Sequence, residues 1–147
     1  MLTVIKSIRL SAAVMGVALV AAACSSVAAA PPKSVTATQS EFKIDLGSAK
    51  AATGSVTFAI KNSGTIVHEF VVMKSDLAPD KLPTTAEGKV DEASTELTHV
   101  DEVENIAAGA PAELTVDLAP GKYVLICNLP GHYAGGMHAG LEVVAAS

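Results

Sequence analysis

At 147 residues the chain has room for one modest core. Half of its residues are apolar, yet it has three Phe, two Tyr and no Trp, so that core must be built from small and β-branched side chains, which favours packed sheets over a helical bundle. A formal charge of −5 argues against nucleic acid as a partner.

The chain opens on an addressing segment. Lys6 and Arg9 form a positive start, and Leu10 to Ala23 is an apolar run too short for a comfortable membrane span, so residues 1–23 read as an export signal. Ala21-Ala22-Ala23-Cys24-Ser25-Ser26 is similar to a bacterial lipobox, in which small residues precede a cysteine that is diacylated and becomes the mature N-terminus, although Ala21 stands where Leu is usual. The similarity implies lipidation at Cys24 and an anchor of several acyl chains, since a single chain binds membranes only marginally. Ordinary cleavage after Ala23, or after Ala28-Ala29-Ala30, is the competing reading and stays open. Without Lys6 and Arg9, eight Lys face fifteen Asp and Glu, a mature balance of −7. Residues 24–33 then hold the cysteine and an Ala- and Pro-rich linker, and residues 34–147 form the folded domain.

Short runs of apolar alternation follow: Ser34–Thr38, Phe42–Leu46, Ser55–Lys61, Ile66–Lys74, Ala112–Leu118, Gly121–Cys127 and His138–Val144. Lys61-Asn62-Ser63-Gly64 and Ala119-Pro120-Gly121 mark turns between them. This pattern predicts an all-β fold, a Greek-key β-sandwich of about seven or eight strands. In the fourth run, His68 interrupts Ile66, Val67, Phe70, Val71 and Val72, and a polar ring on such a buried strand must be satisfied by something. Taken alone, a hydrogen-bonded core histidine accounts for it.

Residues 75–109 break the rhythm with Pro79, Pro83 and acids from Glu87 to Glu104 against Lys81 and Lys89. A stretch of this length without strands is unusual in a compact domain, so a long irregular excursion with a helix over Val90–Leu97 is expected. Asp101, Glu102 and Glu104 have two readings, steering of a basic partner or plain solvated surface, and His99 among them reads as solvated.

The last informative stretch is CNLPGHYAGGMH, residues 127–138, which puts a thiol, an imidazole and a thioether within eleven positions. With Cys24 at the processing site, Cys127 has no disulfide partner, and outside the cytoplasm a lone thiol is an oxidation liability that a metal bond would remove. Thiolate and thioether sulfur select copper; two imidazoles and one thiolate in a plane, with a weak axial Met, describe a blue-copper electron-transfer site. Cys127, His132 and Met137 supply three of these groups, and His68 is the best candidate for the missing imidazole.

In these residues the sequence resembles the cupredoxin family of small single-site blue-copper proteins. His68 matches the upstream histidine, and Cys127, His132 and Met137 match the loop as C-x4-H-x4-M within GKYVLICNLPGHYAGGMHAGLEV. The resemblance covers residues 34–145 and is weakest over 75–109. It implies one type 1 copper held by His68, Cys127, His132 and Met137, and one-electron transfer between redox proteins by a monomer rather than catalysis. Glu69, next after His68, offers backbone groups to orient the loop where family members often carry Asn, a departure that leaves the bond that pins the loop in question. Gly131, Gly135 and Gly136 let the loop turn, and Pro130 stiffens its approach. Leu129, Pro130, Gly131 and Ala134 would ring the His132 edge with a dry patch suited to brief docking. The absence of an H-x-H pair and of a second loop cysteine argues against the further copper centres of related enzymes. The expected product is an exported carrier, periplasmic or on the cell surface; the alternative is copper buffering or delivery, for which four Met in the whole chain form no open tract.

Overall fold

Alternation builds the first sheet. In β1 (Ser34–Ser40) Val35, Ala37 and Gln39 turn inward, as do Val56, Phe58, Ile60 and Asn62 in β4 (Gly54–Asn62) and Leu114, Val116 and Leu118 in β7 (Pro111–Leu118). With β2 (Lys43–Leu46) these strands lie in the order β2-β1-β4-β7, β1 and β4 running parallel and the other pairs antiparallel. The computed structural model describes residues 29–145, so the export signal and Cys24 lie outside the described residues.

The second sheet runs β3-β9-β8-β5-β6, with β3 (Lys50–Ala52), β5 (His68–Lys74), β6 (Thr98–Ile106), β8 (Gly121–Ile126) and β9 (His138–Val144). Its central strands are apolar on both faces. Phe70, Val72, Tyr123 and Leu125 enter the core between the sheets, whereas Val71, Met73, Val124 and Ile126 form a second apolar layer outside it. The excursion covers that layer with Leu82, Val90 and Leu97. The run of apolar residues in β5 thus has a physical cause: both of its faces are buried.

All seven expected strands form, with ends displaced by up to two residues. Two more strands were not legible. β3 has three residues, and β6 carries its partly buried Val100, Val103 and buried Ile106 at a spacing of three, because the β5–β6 register shifts at His68/Phe70 and again at Val72/Met73. The helix expected over Val90–Leu97 does not form. There the Asp91 carboxylate accepts from Ala93 N–H and the Ser94 hydroxyl from Glu96 N–H, Val90 spends both backbone groups on the Asn128 side chain, and the N–H groups of Ser94 and Leu97 bond to carbonyls three residues back, so the segment closes as turns rather than as an i to i+4 ladder. The one helix among the described residues is α1 (His132–Gly135), in the loop before β9. No described helix is long and apolar enough to cross a membrane.

Ile66 and Val67 also differ from expectation. They are exposed, and the strand begins at His68, because the Ile66 carbonyl is taken by the Asn62 amide and its N–H by the Glu41 carboxylate before pairing starts.

Candidate metal centre

β8 delivers Cys127 to one end of the sandwich, fully buried, and the chain then folds back on itself to start β9. Three backbone bonds close this loop: Cys127 N–H donates to the Met137 carbonyl at 3.1 Å, Met137 N–H to the His132 carbonyl at 3.1 Å, and Gly135 N–H to the Gly131 carbonyl at 2.9 Å. Closure needs glycine at 136. Its φ of +118° is disfavoured for other residues, and a Cβ there would stand 2.9 Å from the Phe42 carbonyl oxygen.

His68, at the first position of β5, faces the same point from the neighbouring strand. The His68 and His132 Nδ1 atoms are 3.3 Å apart, and Cys127 Sγ lies 3.8 Å from the first and 3.3 Å from the second. A single ion bonded to nitrogen at about 2.0 Å and to sulfur at about 2.3 Å in a plane would need separations of roughly 3.5 to 3.8 Å. The donors are therefore spaced for one metal ion. Met137 is fully buried in the core cluster that holds Cys127, and the backbone bonds above place it beside Cys127 and His132.

The charge states suit a metal as well. Burial, followed by the nearby His132 charge, holds His68 below the ordinary imidazole range, and burial does the same to His132. Burial pushes the Cys127 thiol up, opposed by the N–H groups of Glu69 and Leu129. Two neutral imidazoles and a thiol with one displaceable proton are what a thiophilic cation requires. Copper fits this donor set better than a hard ion such as magnesium, which prefers oxygen.

Around the donors, residues beyond Glu69 take part that were not identified from the sequence. Glu69 N–H donates to Cys127 Sγ at 3.4 Å, and the buried Gln39 amide donates to the Glu69 carbonyl at 2.7 Å, so β1 holds the peptide that holds the sulfur. The turn between β1 and β2 contributes twice: the Glu41 carboxylate lies 3.6 Å from His68 Nε2, and the Phe42 ring meets the His132 ring edge-on at 5.5 Å. Asn128 is buried and ties the start of the loop to Val90 and Glu92 of the excursion. A signal existed for Gln39 and Asn62: each is a polar residue in the inward register of an otherwise apolar alternating strand.

The surface over the donors is apolar. Phe42, Ile66 and Val67 are the large apolar side chains left exposed among the described residues, at 48%, 42% and 42%; Phe42 meets the His132 ring, and Ile66 and Val67 immediately precede His68 in the chain. Pro130, Gly131 and Ala134 are exposed beside them, as expected, while Leu129 packs against the core. Tyr133 lies under the excursion, donating to the Pro79 carbonyl and accepting from Leu82 N–H, both at 2.9 Å. Asp101, Glu102 and Glu104 lie on β6, and His99 stands 3.9 Å from Glu92 and 3.6 Å from Glu102.

Comparison with known proteins adds three findings. The family model of the sulfocyanin (SoxE) domain matches residues 12–147. Among solved structures, dithionite-reduced auracyanin from the photosynthetic bacterium Roseiflexus castenholzii superposes with a TM-score of 0.57 at 22% identity, over 78% of this chain and 98% of that one. Auracyanin B superposes with a TM-score of 0.52 at 20% identity, over 80% of this chain and 93% of that one. No curated protein sequence matches the chain.

Proposed function

The chain belongs to the sulfocyanin family of cupredoxins, and from that premise we propose that it carries single electrons between redox proteins outside the cytoplasm. Its cofactor is one type 1 copper, with His68, Cys127, His132 and Met137 as our assignment of the ligands. The copper, when bound, supplies a one-electron couple.

What the chain supplies is a stiff frame with one way out. Cys127 is held by its own backbone bond and by Glu69 N–H, His68 by a strand paired on both sides, and Met137 by the loop closure. Donors fixed in this way keep nearly the same geometry in both oxidation states, so little reorganisation opposes electron transfer. The observation that carries the reading is burial: Cys127, His68 and Met137 are closed off, and His132 alone of the four reaches the surface, edge-on to the exposed Phe42 ring. Such an arrangement favours electron exchange across a dry contact over release of the metal to an acceptor, which needs accessible donors. In our reading residues 1–23 export the chain, residues 24–33 tether it through Cys24, and the domain from 34 to 147 works as a monomer on short-lived contacts.

Electron self-exchange between the two oxidation states tests this without knowing the partner. Two copies meeting over His132 should exchange freely in the wild type. Val67→Glu puts a negative charge on each facing patch and should slow exchange about tenfold, equivalent to about 1.4 kcal/mol, with the visible spectrum unchanged. An unaffected rate would remove the patch from the account.

A further inference from the structure

Among the described residues, His68 Nε2 and Gln39 Oε1 are the buried side-chain polar atoms without a hydrogen-bond partner. The other nitrogen of the His68 ring, Nδ1, faces Cys127 Sγ and His132 Nδ1. When Nδ1 gives its lone pair to a metal, the ring proton sits on Nε2, a buried donor pointing away from the site. Leaving such a donor unpaired costs about 1–3 kcal/mol. One acceptor is close by: Glu41 Oε1, at 3.6 Å, just beyond hydrogen-bond distance.

Glu41 is itself well fixed. Its Oε1 accepts the N–H groups of Thr65 at 2.7 Å and Ile66 at 3.0 Å, the residues that lead into His68. Backbone N–H groups, its own first and then that of Thr65, also keep its carboxyl below the ordinary range, so it is charged at neutral pH. A carboxylate has lone pairs left after two such bonds, and a shift of about half an ångström brings it onto Nε2.

We propose that Glu41 is a positioning residue of this centre: it accepts the Nε2–H of His68 once Nδ1 engages the metal, fixes the tautomer and ring plane, and sets a negative charge behind the imidazole. The hydrogen bond needs only a metal on Nδ1. Its consequence for the reduction potential rests on the copper-carrier reading. There the charge stabilises the more positive, oxidised state and holds the potential down.

Glu41→Gln tests both parts in the full chain, because the amide oxygen still accepts from Thr65 and Ile66 while the charge is gone. In the Zn(II)-loaded protein, nitrogen and proton resonances of the imidazoles should show a slowly exchanging, low-field Nε2–H on His68 that moves upfield in the variant, since a charged acceptor makes the stronger bond. In the copper-loaded protein, the ratio of Cu(II) to Cu(I) affinity should fall about tenfold, read as a potential higher by about 59 mV. An Nε2–H resonance unmoved by the substitution, or a potential equal to that of the wild type, would overturn the proposal. A wild type without an intense thiolate-copper band, but with the zinc result as expected, would instead refute the carrier reading and leave Glu41 in its place.

Discussion

His68 and His132 show how burial sets chemistry at single residues. Both imidazoles are held below the ordinary value of 6.5, so the folded metal-free protein binds fewer protons than the unfolded chain as pH falls below that value. The stability this gives is fully present above about pH 6.5 and is lost as pH falls through the depressed folded values. Urea midpoints of the metal-free protein at pH 7.5, 6.5 and 5.5 should hold between the first two and drop at the third; a midpoint that rises on acidification would contradict it. The same residues show what could be read from sequence. Sulfur and imidazole donors crowded into eleven positions point to a metal by their chemistry alone, and His68 stood out because a ring interrupted an apolar run. Glu41 and Phe42 carried no such mark, since their place beside the two imidazoles depends on how the β1–β2 turn packs against a loop some ninety residues away.

At the level of elements, the loop between β8 and β9 is shaped by its backbone. Gly136→Ala would force a left-handed φ on a residue with a Cβ and drive that Cβ into the Phe42 carbonyl, so it should destabilise the protein by about 1–3 kcal/mol and weaken copper binding. Chemical denaturation and copper titration measure both; unchanged values would show that the loop closes another way. Strand positions were legible wherever one face meets the core and the other meets solvent, as in β1, β4 and β7. They were hidden in β6, where register shifts spoil the two-residue period, and the excursion hid its real task. Val90 and Leu97 bound the segment expected as a helix, but with Leu82 they plug the outer face of β5 and β8, and the local side-chain bonds of Asp91 and Ser94 hold the segment between them in turns.

For the whole molecule, the two sheets serve to bring β5 and the β8–β9 loop together at one end, with β1 behind them. Three of the four proposed ligands close that end from within, and the apolar side chains of Phe42, Ile66 and Val67 mark it from outside. Asp101, Glu102 and Glu104 of the acidic stretch lie on β6, at the edge of the second sheet. The proposed carrier function depends on one bond, copper to the Cys127 sulfur. The most direct measurement is the visible spectrum of the protein after Cu(II) is added and excess removed, beside that of Cys127→Ser. An intense blue or green band that bleaches on reduction and is missing in the variant is the predicted result. A colourless wild type, or a weak band that survives the substitution, would contradict the thiolate-copper centre and the carrier function built on it.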